Sequence, residues 1–86
     1  MEYEWDENKR LEVLRERGVD FRRAVLIFND PSHKKVPDLR HDYGEPRWQA
    51  IGRVDDETLM VVYTPRGNVT RIITAWSLGR NAKARY

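Results

Sequence analysis

Hydrophobic and polar positions along this chain sort into two helix-like stretches followed by several strand-like ones. Asp6 is placed to cap a helix that carries Leu11 and Leu14 on one side and stops at Gly18. This predicts a first helix over residues 7–17, with Trp5 packing back on it. Asp20 repeats the device, and Phe21, Ala24, Val25 and Phe28 then fall at i, i+3, i+4 and i+7. That stripe predicts a second surface helix ending before Asn29-Asp30-Pro31. Two short helices with one apolar face each need a sheet to lie on.

The rest of the chain supplies one. Val36 and Leu39 alternate poorly around Pro37, which fits an irregular edge strand, and Gly44 marks a turn. Residues 47–53 read as a strand, Asp55-Asp56 as a turn, and Thr58 to Thr64 as a strongly apolar strand with Leu-Met-Val-Val-Tyr at its heart. Pro65-Arg66-Gly67-Asn68 is a turn by mechanism, since Pro fixes one dihedral and Gly or Asn accepts positive φ. Val69 to Trp76 is then the last strand, and turns this short join antiparallel neighbours. Ser77 is placed to cap a short C-terminal helix, against which Gly79 weighs by about 1 kcal/mol. The expected architecture is α+β: two N-terminal helices packed on a three- to four-stranded antiparallel sheet, with a short C-terminal helix, in one domain over residues 1–86.

Composition narrows the class. A chain of 86 residues holds one core and buries only about 60–65% of its extended surface, so stability is expected to be modest without a covering partner. Cysteine is absent, which removes disulfides, thiolate nucleophiles and cysteine-ligated metal sites and suits a reducing cytoplasm. The opening MEYEWDENKR lacks the features of a signal peptide, and no apolar run approaches the roughly 20 residues that cross a bilayer. A soluble cytoplasmic protein without a membrane partner is expected. The formal charge is only +2, but residues 1–20 hold seven acids and four bases while residues 66–86 hold five bases and no acid. This asymmetry points to an anionic ligand or an acidic partner, or simply to a solvated basic end. Arg outnumbers Lys twelve to four, and the planar guanidinium fork suits phosphate or carboxylate.

No phosphate-binding glycine loop, H-E-x-x-H or G-x-S-x-G element occurs. The residues that stand out are Arg47, Arg66 and Arg71 on or between strands, with His33, His41 and Tyr63. Arg47 and Arg71 must point to solvent, pair with an acid such as Glu45, or meet an anion, because an unpaired buried guanidinium is costly. On one face they would form a phosphate-sized positive patch. His33 and His41 carry the one side chain whose unperturbed pKa lies near neutrality, which suits proton transfer, although two histidines also need no function. No metal-ligand spacing is diagnostic. Tyr63 reads more readily as core, and Trp48 and Trp76 either stack bases beside the arginines or pack the sheet against the helices.

Taken in order, W-D-E-N-K, R-E-R-G-V-D-F, F-N-D-P, D-Y-G-E-P-R, V-V-Y-T-P-R-G and R-I-I-T-A make the chain resemble the BrnT toxins of type II toxin-antitoxin systems over residues 4–76. The resemblance implies a RelE-like ribonuclease fold. It also implies cleavage of RNA without a metal or organic cofactor, and neutralisation by a BrnA-like ribbon-helix-helix antitoxin through which the complex binds operator DNA. The D-x-G-E-x-R element falls on Asp42, Gly44, Glu45 and Arg47; the Y-T-x-R-G turn on Tyr63, Thr64, Arg66 and Gly67; the R-I-I run on Arg71, Ile72 and Ile73. Where relatives carry a basic pair before the first glycine, this chain has Glu16 and Arg17. Where they carry an arginine after the isoleucine pair, it has Trp76.

Cleavage of this kind needs a base for the 2′-hydroxyl, cations for the charge on the phosphorane and an acid for the 5′-oxygen. The resemblance places Arg47, Arg66 and Arg71 in the electrostatic group and Glu45 as the residue that orients Arg47. Arg17, Trp76, Arg80 and Lys83 are then RNA contacts, and proton transfer falls to His33, His41 or to substrate and water. Loss of the arginine at 76 leaves a rival open: a weak or inactive toxin homologue that acts as an antitoxin-binding co-repressor module.

Overall fold

A computed structural model of the chain describes residues 2–80. Strand β1 (Glu2–Trp5) leads into helix α1 (Glu7–Arg17), helix α2 (Phe21–Ala24) and a 3-10 turn (Val25–Asn29). Four strands follow: β2 (Lys34–Pro37), β3 (Trp48–Val54), β4 (Glu57–Arg66) and β5 (Val69–Arg80). They form one five-stranded sheet in the order β1-β5-β4-β3-β2. All neighbours are antiparallel except β1, which runs parallel to β5 from Glu2 opposite Val69 to Trp5 opposite Ile72.

Helix α1 occupies the predicted span. Asp6 Oδ1 accepts from the amides of Asn8 and Lys9, and Gly18 ends the helix at φ 70° with its amide donating to Leu14 O. Its inward face differs from the expected one. Arg10 and Val13 are buried, whereas Leu11 is 48% and Leu14 36% exposed. The cause is ionic: the Arg10 guanidinium bonds Glu7 and, at 3.2 Å, Asp20, and so ties the helix to the cap of the next one. The second helix is α-helical only to Ala24 before it tightens. Three residues per turn align Ala24 with Ile27, both fully buried, and leave Phe28 at the flank. Gly52 of β3 permits that approach, since a Cβ there would stand 2.9 Å from Ile27 Cβ.

The sheet departs from the expected three to four antiparallel strands in two ways. The Glu-Tyr-Glu-Trp segment is a strand, not merely a flank of α1: Tyr3 stacks on Phe28 and Trp5 meets Phe21 edge-on, which draws the segment onto the sheet. No C-terminal helix begins at Ser77. Residues 77–80 continue β5, because β4 extends back to Glu57 and offers them partners, with Ser77 opposite Leu59 and Arg80 opposite Glu57. The Ser77 hydroxyl donates to Glu57 instead of capping a helix. The tail of that expected helix, with Lys83, lies outside the described residues.

Cross-strand register sorts side chains onto two faces. Trp48, Tyr63, Ile72 and Trp5 form one row, and Ala50, Val61 and Ala75 the next; both lie under the helices in a core with Val13, Val19, Phe21, Ala24 and Ile27. The alternate rows face away: Thr64, Arg71 and Glu4; Gln49, Val62 and Thr74; Ile51, Met60 and Trp76. Among the described residues, no helix is long and apolar enough to cross a membrane.

Candidate nucleic-acid interface

On the helix-free face Val62 and Thr64 are 2% and 1% exposed, so something other than a helix covers them. The connection from Asp38 to Arg47 lies against Thr64. It is pinned at both ends: the Asp38 amide donates to Arg47 O at 2.8 Å, and the Thr64 hydroxyl donates to Pro46 O. Asp42 Oδ1 accepts from the Gly44 amide at 3.0 Å, and Gly44 takes φ 70°, a left-handed value that suits glycine.

The anchor of this connection is the buried carboxylate of Asp38. Arg40 donates to it from Nε and Nη2, each at 2.8 Å, and its backbone amide adds a third bond. The Arg40 guanidinium, then its amide and Gln49, hold the Asp38 carboxyl well below its ordinary value of 3.8. A depressed folded-state pKa stabilises the fold above the unfolded value and loses that contribution as pH falls toward the folded one. Wild-type Tm is therefore expected to fall steeply below about pH 4. Asp38→Asn should melt lower than wild type at pH 7 and show a flatter acid limb, so that the gap narrows by pH 3. Parallel acid limbs in a melting series would remove Asp38 from this role.

Around that anchor the face gathers cations and rings. The Arg40 guanidinium lies 6.0 Å from the Trp76 ring centroid, and Arg17, reaching from the end of α1, lies 5.6 Å from it. Arg17 Nη1 also donates to Thr74 Oγ1 at 3.1 Å and Ala75 O at 3.2 Å, which it reaches because β1 ends opposite Ile72 and leaves that stretch of β5 without an outer strand. The Tyr43 side chain lies near Arg40, and its ring lies 4.0 Å from the Arg47 guanidinium. Glu45 accepts from Arg47 Nε at 3.2 Å through one oxygen and from Arg66 Nη2 at 3.3 Å through the other. Arg71 bonds Glu4, its register partner on β1.

The structure thus brings Arg17, Arg47, Arg66, Arg71, Glu45 and Trp76 to one side of the sheet. It adds Arg40 and Tyr43, which sequence reasoning missed. Their only signal was position inside the same weakly patterned segment as the D-x-G-E-x-R element. His41 stands beside the group, edge-on to Tyr43 at 5.6 Å. His33 does not join: its Nδ1 is 2.7 Å from Asp30 O, and its ring meets Phe28 on the helix side. Arg80 does not join either. It pairs with Asp56 at 2.8 Å and Glu57 at 3.5 Å, roughly 20 Å along β4 from Thr64 at about 3.3 Å per residue. Tyr63 and Trp48 pack toward the core, where burial pushes the Tyr63 phenol up.

The carboxylates leave the cations unequal. Arg40 and Arg71 each have one and Arg47 and Arg66 share Glu45, whereas Arg17 has none among the described residues. Arg47 is held at Nε and lies over the Tyr43 ring, and nothing among the described residues accepts from its two Nη nitrogens. A fork fixed on one side and open on the other is suited to bidentate contact with a phosphate. No group of three or more His, Asp or Glu that could hold a metal occurs among the described residues.

A family model described as "Ribonuclease toxin, BrnT, of type II toxin-antitoxin system" matches residues 5–82. No curated protein matches the chain.

Proposed function

Because the chain belongs to the BrnT family of ribonuclease toxins, we propose that it is the toxin of a type II toxin-antitoxin pair and cleaves RNA without a metal, using the helix-free face of its sheet. The observation that carries this reading is the gathering of Arg17, Arg40, Arg47 and Arg66 about Trp76 and Tyr43. An RNA strand presents phosphates and flat bases in alternation, and such a surface offers guanidinium forks and rings to match.

In this mechanism the 2′-hydroxyl attacks the adjacent phosphorus and the 5′-oxygen leaves. Arg47 takes the non-bridging oxygens as charge accumulates there, while Arg66 and Arg71 strengthen the local positive potential. Glu45 holds Arg47 and Arg66 in a fixed relation, since one carboxylate bonds both. His41 is the imidazole placed beside the group and is assigned the proton transfer, with water completing the relay. Arg17 and Arg40 supply positive charge at Trp76. The partners that follow are an RNA substrate and a BrnA-like ribbon-helix-helix antitoxin, with operator DNA reached through the antitoxin.

The test is cleavage of a defined single-stranded RNA by purified protein in EDTA. Cleavage supports the nuclease reading, and silence favours the second one. That second reading, a catalytically weak homologue acting as an antitoxin-binding co-repressor module, draws support from the carboxylates on four of the five arginines.

A further inference from the structure

The segment that covers the helix-free face contains one aromatic side chain in contact with the fork just described. Tyr43 sits between Asp42, whose carboxylate fixes the turn at Gly44, and Glu45, whose carboxylate holds Arg47. Its ring is 4.0 Å from the Arg47 guanidinium, well inside the roughly 6 Å over which cation–π attraction acts. A guanidinium with one bond at Nε can still rotate about its long side chain, and a ring against its plane removes that freedom. Resting on the RNA-binding reading of this face, we infer that Tyr43 is a positioning residue: its ring holds the Arg47 guanidinium flat, with both Nη nitrogens directed to one phosphodiester of the RNA strand.

This assigns the work to the ring and not to the hydroxyl, although the hydroxyl also approaches Arg40. The distinction matters chemically. A tyrosine beside a ribonuclease site invites the reading of a proton carrier, whereas stacking needs only the π face and is kept by phenylalanine.

Equilibrium binding of a 2′-O-methyl single-stranded RNA, which lacks the attacking hydroxyl and cannot be cleaved, tests the inference separately from catalysis. Arg47→Ala is expected to weaken binding about 10-fold at low salt. Tyr43→Ala should weaken it about 3- to 10-fold, Tyr43→Phe less than about 2-fold, and Tyr43→Ala should add little once Arg47 is already alanine. Melting curves recorded on each variant identify any that fail to fold, and Tyr43→Phe carries the test if Tyr43→Ala does. Wild-type affinity in Tyr43→Ala overturns the inference. So does a Tyr43→Phe defect as large as that of Tyr43→Ala, which would put the work on the hydroxyl. A Tyr43→Ala defect that persists in full without Arg47 overturns it as well, as does failure of the wild type to bind. Binding without cleavage of ordinary RNA sinks the nuclease reading and leaves the positioning role standing.

Discussion

Arg47→Ala is expected to lower the rate of RNA cleavage by about 10²- to 10³-fold, the usual cost of removing one preorganised donor from developing charge. The other cations should not compensate. Arg71 is committed to Glu4, and Arg66 is more exposed than Arg47 while sharing the Glu45 carboxylate with it. Each of those two is expected to cost about 10-fold when replaced by alanine, Arg66 because its exposed charge is screened by solvent and Arg71 because its charge is already paired with Glu4. Arg47→Lys should fall between, because an ammonium keeps the charge and loses the fork. Folding should survive both changes at Arg47: the Arg47 carbonyl that accepts from Asp38 belongs to the backbone and is kept. Single-turnover cleavage in EDTA is the measurement. Equal losses at all three positions, or none at Arg47, would sink the assignment of Arg47 as the principal phosphate contact.

Phe21→Ala is expected to cost about 3–5 kcal/mol of stability. Phe21 is fully buried where α2 enters the core, edge-on to Trp5 at 6.1 Å, so truncation leaves a cavity between the helix layer and β1. A domain of this length has a total stability of roughly 4–13 kcal/mol, so the change consumes a large part of it. Denaturant unfolding should show a lower midpoint, with the variant partly unfolded at 37 °C. Because Trp5 anchors β1 and β1 pairs only four residues of β5, the parallel strand is the element expected to open first. Amide exchange faster at Tyr3 and Trp5 than at Val61 and Val62 would show it; uniform exchange would argue that β1 does not depend on Phe21.

The sequence carried the local decisions and the tertiary structure the distant ones. Asp6 and Gly18 bound α1 because a cap and a left-handed stop act on the adjacent turn alone. The apolar run of β4 likewise works at short range, as does the turn at Gly67-Asn68, although Pro65 and Arg66, expected in that turn, belong to β4. The inward face of α1 did not follow from its leucines, because an ion pair ten residues away, Arg10 to Asp20, set it. Strand β1 was not read from the sequence, because its partner lies at the far end of the chain and no local pattern names such a partner. Residues 77–80 begin with a serine that fits a helix cap, and the length of β4 overrode it.

The candidate site divides in the same way. Guanidiniums in the D-x-G-E-x-R and R-I-I elements were visible as residue types, and the pairing of Glu45 with Arg47 spans only two positions. That Arg17 from α1, Arg40 from the long connection and Trp76 from β5 meet on one face was not visible. Their meeting depends on the sheet order, on where β1 ends and on the Asp38 anchor that folds the connection across the sheet. The same register carries Arg80 to the opposite end and leaves His33 on the helix side. Charge and side-chain chemistry are properties of single residues and can be read one at a time, whereas convergence is a property of the packed chain.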